Sequence, residues 1–213
     1  MAHIPDGVLS APVLIAGAVV TAAGCAYGLK RLAPEQVPQV GMLAAVFFVA
    51  ALVHFPVGPS SVHLILNGLV GVMLGSAAFP AILVALLLQA VLFGFGGIVV
   101  LPVNVMNMAV PALISGLLFR IVADRYAGQA SRIVAAAATA GALGVLLTSI
   151  AVALSLALSG RELVPAAKLI VLAHLPVMVI EAFFTAAAVA LVQRVKPELL
   201  GAGTPPTVAQ AAE

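Results

Sequence analysis

Long apolar stretches separated by short polar breaks run through most of this chain. A helix needs about 20 apolar residues to cross a lipid bilayer, and seven stretches approach or reach that length. They cover residues 11–29, 38–53, 62–77, 80–95, 105–122, 133–158 and 167–192. Backbone groups in lipid must be satisfied within the chain, which favours helices. The pattern therefore predicts an all-α fold, a polytopic membrane helical bundle of about seven transmembrane helices.

Two of the breaks contain enough Pro and Gly to predict irregular loops. Residues 54–61 separate the second stretch from the third, and residues 94–102 separate the fourth from the fifth. After residue 196 the apolar stretches end and the chain becomes rich in Pro and small residues. We therefore expect one membrane domain over residues 1–196 and a disordered tail over residues 197–213.

The composition supports a membrane protein. Of the 213 residues, 64% are hydrophobic and 8% are charged, and the mean hydropathy is +1.27. Soluble domains contain fewer apolar residues and more charged residues than this. Cys25 is the single cysteine, which excludes a disulfide framework and a cysteine metal cluster. No basic segment precedes the first apolar stretch, so we expect no cleavable signal peptide and a multi-pass protein of the cell (inner) membrane.

The basic residues are distributed unevenly over the predicted helix ends. Seven of the nine fall on one side, namely Lys30, Arg31, Arg120, Arg125, Arg132, Arg194 and Lys196. The other two, Arg161 and Lys168, fall on the opposite side. Because cytoplasmic loops carry the excess of Lys and Arg, this bias predicts an outer amino terminus and a cytoplasmic carboxyl terminus. The formal net charge of only +2 does not indicate nucleic-acid binding.

The amino terminus carries a histidine at a position that suits a metal chelate. If Met1 is removed, the Ala2 amine, the His3 amide nitrogen and His3 Nδ1 can bind one ion in a plane, and one planar position stays open. If Met1 is retained, the terminus alone supplies four nitrogens. Square-planar nitrogen sites suit Ni(II) and Cu(II). The amide must lose its proton, so we expect binding to weaken in acid.

Two further histidines flank the predicted loop at residues 54–61, on the same predicted side as the amino terminus. His63 follows the Pro- and Gly-containing part of this loop near the expected start of a helix, and His54 precedes that part. We prefer His63 as the fourth nitrogen because a helix supports a ligand more stiffly than a loop does, and His54 competes for this role. The Pro5-Asp6-Gly7 sequence predicts a turn that folds the terminus back toward the bundle.

Four segments of the chain resemble a known family. They read MAHIPDG at 1–7, FPVGPSSVHL at 55–64, LLQAVLFGFGG at 87–97 and NVMNMA at 104–109. In this order they resemble the CbiM/NikM-type subunits, which are the substrate-binding membrane components of energy-coupling-factor (ECF) importers for cobalt and nickel. The resemblance extends over nearly all of the membrane region and does not include the tail.

The resemblance implies both a fold and a site. The fold is a helical bundle with one additional amino-terminal helix that inserts its end into the site, so residues 1–196 would form the substrate-binding domain. The site is planar, and its implied ligands here are the Ala2 amine, the His3 amide and Nδ1, and His63. The implied substrate is Co(II) or Ni(II), with no organic cofactor. The implied partners are two ABC-type ATPase subunits, a coupling transmembrane subunit and a small accessory membrane subunit.

The chain departs from the family at its start. The family begins Met-His, whereas this sequence begins Met1-Ala2-His3. Removal of Met1 before the small Ala2 would restore a two-residue chelate, and alternatively Ala2 is an addition from cloning. Retention of Met1 would give four terminal nitrogens and push His63 out of the plane. The sequence leaves these alternatives open.

A few polar side chains lie within the predicted spans. Asn104 and Asn107 are one helical turn apart on one face, so they either support the metal ligands from outside or cross-link helices. Gln89 has the same two alternatives. His174 and Glu181 share a face of the last helix, and ionisable residues in a membrane are functional candidates. A packing role of this pair, with each other or with backbone, is the alternative.

The sequence allows functions of three classes. An importer subunit is favoured, and because the chain has no Walker motif and no Gly-rich phosphate loop, ATP hydrolysis would fall to partner subunits and this chain would not be an enzyme. An ion-coupled secondary carrier is the alternative, although no internal repeat is evident. An intramembrane enzyme would need more than His174 and Glu181. Cobalt and nickel are not distinguished, since the same nitrogen ligands hold both.

Overall fold

A computed structural model describes residues 3–57 and 60–200. Within these residues, seven α-helices and one β-hairpin follow each other along the chain. The helices are α1 (Ala11–Lys30), α2 (Val37–Ala50), α3 (Asn67–Leu74), α4 (Ala78–Phe93), α5 (Leu101–Arg125), α6 (Ala130–Ala157) and α7 (Val164–Val195). The hairpin lies between α2 and α3 and consists of β1 (His54–Val57) and β2 (Ser60–His63). Short 3₁₀ turns occur at Pro34–Gln36, Gly75–Ala77, Arg161–Leu163 and Pro197–Leu200.

Five helical stretches in the described part of the chain are long and apolar enough to cross a membrane. They are Ala11–Lys30, Asn67–Phe93, Leu101–Arg125, Ala130–Ala157 and Arg161–Val195. Helix α2 has only 14 residues, and α3 and α4 together form a single stretch of 27 residues. The predicted helical membrane fold is confirmed, whereas the predicted number of seven spans is not.

The outer faces of the long helices are apolar. The side chains of Ile15, Leu172, Val179 and Phe183 are 64%, 62%, 73% and 69% exposed, respectively. A soluble monomer rarely presents so much contiguous apolar surface, whereas lipid covers such a surface in a bilayer. Many of the apolar residues that make up the high hydrophobic content of the chain therefore lie on the outer surface of the bundle.

The prediction of a third helix over residues 62–77 is wrong in its first part. Strands β1 and β2 pair antiparallel with His54 opposite His63, so the chain is extended as far as His63. Helix α3 begins only at Asn67. The Pro and Gly residues of this loop indicate a break in the helix, but they do not indicate that the two sides of the break pair with each other.

Residues 64–66 connect β2 to α3 and belong to neither element. Leu66 has a positive φ of 53°, which is uncommon for a residue other than glycine. The amides of Ile65 and Leu66 donate to the carboxylate of Glu181 on α7. A side chain from another helix thus supplies the acceptors that these buried amides need.

Helices α3, α5 and α6 pack with their backbones close together at glycines. A Cβ on Gly71 in α3 would lie 1.8 Å from the carbonyl oxygen of Ala112 in α5. A Cβ on Gly144 in α6 would lie 2.9 Å from the Cα of Gly68 in α3. Small residues at such positions allow the close van der Waals contacts that hold helices together in lipid.

Helix α1 packs against α4 and α5. Gly17 lies against Val103, and Gly24 lies against the ring of Phe79. The Thr21 hydroxyl donates to the carbonyl of Pro102, at the start of α5, at 2.6 Å. These contacts fix α1 along α5 and place the residues that precede α1 over the beginning of α5.

The chain remains folded beyond the predicted domain boundary at residue 196. The 3₁₀ turn Pro197–Leu200 packs against α7 and α3. Leu200 is buried in an apolar cluster that includes Phe119 and Ile133. Residues 201–213, the remainder of the predicted tail, lie outside the described residues.

Candidate metal centre

The segment before α1 folds back onto the bundle. His3 and Ile4 are buried, with 7% and 3% of their surface exposed. A turn follows at Asp6 and Gly7, where Gly7 has a φ of +83° that favours glycine. The turn predicted from the sequence is therefore confirmed, and it buries the residues next to the amino terminus instead of leaving them in solvent.

Asn104 of α5 holds the terminal segment directly after His3. The Ile4 amide donates to Asn104 Oδ1 at 3.0 Å, and Asn104 Nδ2 donates to the Ile4 carbonyl at 3.0 Å. This pairing resembles the exchange of hydrogen bonds between two strands. It satisfies both buried backbone groups of Ile4 and fixes the position of the residue next to it.

Asp6 fastens the same segment at a second point. Its Oδ1 accepts the amide of Val100, the residue before α5, at 2.9 Å. A carboxylate at a helix amino terminus is stabilised by the helix dipole. A Cβ on Gly97 would lie 2.1 Å from Asp6 Cγ, so the loop between α4 and α5 leaves room for the carboxylate only because Gly97 has no side chain.

The structure brings the two predicted imidazole ligands together. The rings of His3 and His63 lie nearly parallel, at 16°, with their centroids 4.8 Å apart. The ring of Phe95 lies beside His3, with centroids 6.1 Å apart. An ion about 2 Å from one nitrogen of each histidine requires the centroids to be within about 6 Å of each other. The two rings therefore meet the distance requirement for a shared ion.

The hydrogen bonding of His63 determines which of its nitrogens can bind a metal. His63 Nδ1 lies 2.8 Å from the carbonyl oxygen of Leu64. A carbonyl only accepts, so Nδ1 carries the proton and Nε2 carries the lone pair of the neutral ring. A backbone carbonyl that orients a metal-ligating histidine in this way is a common arrangement.

His63 is the last residue of a strand and does not belong to a helix. The expectation of a helical support for this ligand is therefore wrong. The actual support is the buried connection to α3. Asn67, the first residue of α3, donates to the carbonyls of Met108 and Gly144 and to the hydroxyl of Thr148.

Three predicted site residues lie wholly or partly outside the described residues. Met1 and Ala2 lie outside the described residues, and so does the side chain of His54. The backbone of His54 pairs with that of His63 in the hairpin. The predicted roles of Met1, Ala2 and His54 therefore stay predictions.

The other polar candidates differ in what they contact. Asn107 Oδ1 accepts from the hydroxyl of Ser155 at 3.1 Å and so links α5 to α6. Asn104, in contrast, bonds to Ile4 in the terminal segment. Gln89 donates to the carbonyl of Phe48 and links α4 to α2. Asn107 and Gln89 therefore show the cross-linking role that was the alternative for them.

His174 and Glu181 do not pair with each other through any hydrogen bond among the described residues. His174 Nδ1 bonds to the carbonyl of Ile170 one turn earlier on α7, at 2.7 Å. The carboxylate of Glu181 accepts backbone amides of the 64–66 connection. In the same described residues, no three His, Cys, Asp or Glu side chains are grouped closely enough to hold a metal.

Sequence reasoning missed the supporting roles of Asp6, Gly97, Asn67 and Glu181. Each acts on a residue far away in the chain, so no local pattern reveals it. Two weak signals existed: Asp6 lies within a turn motif, and Gly97 lies in a Gly-rich loop directly before a helix. Both signals indicate the local backbone conformation, but neither indicates which distant residue Asp6 or Gly97 contacts.

Comparison with known proteins gives consistent matches over the folded region. A family model described as the cobalt uptake substrate-specific transmembrane region, CbiM, matches residues 3–199. A provisionally named metal transport protein of Haemophilus influenzae is 41% identical over 202 residues, which cover 93% of this chain and 96% of the relative. The fused nickel transport protein NikMN of Rhodobacter capsulatus is 41% identical over 115 residues, which cover 51% of this chain and 33% of the relative.

A solved structure has a similar fold. The crystal structure of a transition metal transporter superposes with a TM-score of 0.72 at 26% sequence identity. The match covers 91% of this chain and 93% of that chain. The arrangement of helices is therefore shared over nearly the whole described part.

Proposed function

Since this chain belongs to the CbiM family of cobalt-uptake transmembrane proteins, we propose that it is the substrate-binding membrane subunit of an ATP-driven ECF-type importer for Co(II) or Ni(II). The observation that carries this proposal is the contact between His3 and His63, whose ring centroids are 4.8 Å apart. The nickel and cobalt assignments of relatives agree with a site built from nitrogen ligands.

The proposed site combines the amino terminus with His63. The terminal amine, the deprotonated His3 amide and His3 Nδ1 occupy three positions of a plane, and His63 Nε2 occupies the fourth. This set needs the His3 ring next to the His63 ring, and it needs Nε2 to carry the lone pair, as the bond to Leu64 requires. With Met1 removed, the amine belongs to Ala2. Retention of Met1 would give four terminal nitrogens and push His63 out of the plane.

The proposed orientation places this site on the outer side of the membrane. His3 lies at the beginning of α5, whereas Arg125 is the last residue of that helix. A helix of 25 residues is about 37 Å long, which exceeds the about 30 Å of hydrocarbon in a bilayer. Arg120 lies against Gly75 near the same far end. The basic end is thus well separated from the metal centre and fits the cytoplasmic side.

The proposed energy source lies in other subunits. The sequence contains no phosphate-binding loop, so two ABC-type ATPase subunits and a coupling transmembrane subunit would drive uptake, with a small accessory membrane subunit. One relative is a fused nickel transport protein by name, which supports a capture unit that works together with further segments. Residues 1–200 would then be the capture unit of a larger assembly.

Binding and transport can be separated by experiment. Purified chain in detergent should bind one Ni(II) or Co(II) ion per molecule without ATP, as measured by isothermal titration calorimetry. Vesicles with this chain alone should take up no radioactive metal above the His63→Ala control, whereas co-expression of the ATPase and coupling subunits should give ATP-dependent uptake. Uptake by the chain alone, driven by an ion gradient, would establish a secondary carrier instead.

A further inference from the structure

The carboxylate of Glu181 holds the backbone that follows His63. Its Oε1 accepts the amide of Ile65 at 2.5 Å and the amide of Leu66 at 2.8 Å, and its Oε2 accepts the same Leu66 amide at 2.9 Å. Glu181 is fully buried, with 0% of its surface exposed, near the middle of α7. A carboxylate buried at membrane depth destabilises the fold, so such residues usually have a specific role.

The Leu64–Ile65 peptide unit lies between the carboxylate of Glu181 and the ring of His63 and is hydrogen-bonded to both. The carbonyl of Leu64 and the amide of Ile65 belong to the same planar unit and point in opposite directions. The amide end donates to Glu181, and the carbonyl end lies 2.8 Å from Nδ1 of His63. The direction of the Leu64 carbonyl is therefore set by the hydrogen bond at the other end of its peptide unit.

This connection has an electronic consequence as well as a geometric one. A carboxyl group that accepts a hydrogen bond from a peptide N–H polarises that peptide, and the bond is stronger when the carboxyl group is ionised. The Leu64 carbonyl then becomes a better acceptor for the His63 Nδ1 proton. A histidine whose distal N–H is held in this way is fixed in orientation and is a more basic metal ligand.

We propose that Glu181 is a positioning residue for the metal centre, and that it acts through the Leu64–Ile65 peptide to fix the tautomer and the ring orientation of His63. The proposal rests on the proposed function, because it requires His63 to be a ligand. In common metal sites a carboxylate contacts the ligating histidine directly, whereas here one peptide unit lies between them.

A different residue holds α3 to the rest of the bundle. Asn67 donates to the carbonyls of Met108 in α5 and Gly144 in α6. The attachment of α3 therefore does not depend on Glu181. A change at Glu181 should loosen residues 64–66, and with them His63, while the helices stay packed.

The variant Glu181→Gln tests this proposal. It preserves the size of the side chain but removes the charge and replaces one acceptor oxygen by an amide that donates, so the three hydrogen bonds cannot all persist. We expect the affinity for Ni(II), measured by calorimetry in detergent, to fall about 10–100-fold. In the His63→Ala background the same change should leave the residual affinity within about twofold, because the residue through which Glu181 acts is gone.

Thr185→Val is the matched control. Thr185 lies one turn further along α7 and is also fully buried, and valine has nearly its shape. This variant should keep wild-type affinity, with circular dichroism and gel filtration reporting the fold of both variants. A folded Glu181→Gln protein with wild-type affinity overturns the proposal, and so does an equal loss of affinity in the His63→Ala background.

A second measurement decides the matter if the Gln variant does not fold. Nitrogen-15 NMR of the metal-free wild-type protein should show the His63 proton on Nδ1 and an Ile65 amide proton shifted strongly downfield by its carboxylate acceptor. A His63 protonated on Nε2, or an unshifted Ile65 amide proton, overturns the proposal. Absence of Ni(II) and Co(II) binding by the wild-type protein would instead refute the proposed function.

Discussion

Asn104 and Ile4 exchange two hydrogen bonds of 3.0 Å across a separation of 100 residues. The side-chain amide of Asn104 thereby takes the place of a neighbouring strand for the residue that follows His3. A buried pair of this kind restricts the terminal segment to one position. If His3 is a metal ligand as proposed, Asn104 should contribute to the metal affinity without contacting the ion.

The variant Asn104→Ala should weaken metal binding. It removes two hydrogen bonds of about 1 kcal/mol each, so the affinity should fall by up to about 30-fold. Asn107→Ala is the control, because Asn107 bonds to Ser155 and not to the terminal segment. Titration of both variants with Ni(II) measures the difference. Equal losses at the two positions would show that the effect comes from α5 packing in general.

Gly97 should be sensitive to substitution although it has no side chain. In Gly97→Ala the new Cβ would lie 2.1 Å from Asp6 Cγ, so the carboxylate must leave the Val100 amide. Overpacking of this kind costs about 1–3 kcal/mol, which corresponds to at least about a fivefold loss of metal affinity. Equilibrium dialysis with Co(II) would measure it.

Gly41→Ala is the matched glycine control, because nothing lies within 4 Å of its added Cβ. Gly41 lies inside α2, where alanine favours the helix. This variant should keep its metal affinity. If Gly97→Ala also keeps full affinity, Asp6 does not position the terminal segment.

His63 and His54 should differ sharply when each is replaced by alanine. Loss of His63 removes a proposed ligand, so the affinity should fall by more than the about 10–100-fold that follows loss of a supporting hydrogen bond. His54→Ala should have a much smaller effect. Binding of Ni(II) to both purified variants tests the choice, and comparable losses at the two positions would refute it.

The stability of the bundle should depend on close backbone contacts at glycine. In Gly71→Ala the added Cβ would lie 1.8 Å from the carbonyl oxygen of Ala112, so α3 and α5 must separate. We expect a loss of about 1–3 kcal/mol of unfolding free energy, measured by thermal denaturation in detergent. Gly41→Ala should not lower the midpoint, and an equal decrease in both variants would contradict this account of the packing.

The long helices could be predicted because their signal is local. An apolar stretch of membrane length has few alternatives to a helix in lipid, and α5, α6 and α7 begin and end within a few residues of the predicted bounds. The connection at residues 64–66 could not be predicted. It is as apolar as the helix that follows it, and the partner of its Leu66 amide lies 115 residues away on Glu181.

The proximity of the two proposed imidazole ligands could be predicted from the sequence, whereas the residues that support them could not. The pairing of His3 with His63 followed from chelate chemistry at the terminus and from the motifs shared with a known family, and the structure brings the two rings together. The bond from Val100 to Asp6 spans 94 residues. Such contacts belong to the tertiary structure, which sequence spacing does not encode.

The most direct test of the proposed site uses the charge and position of the terminal amine. One form of the protein carries an extension before Met1, and the other carries the same extension after Glu213, with both masses verified. An extended amino terminus replaces the ligand amine by an ordinary amide, whereas the helices stay intact because internal hydrogen bonds and packing hold them. Calorimetry with Ni(II) should show one ion per chain in the carboxyl-extended form and no tight binding in the amino-extended form. Full stoichiometry and affinity in an unprocessed amino-extended form would contradict a site built on the free amino terminus.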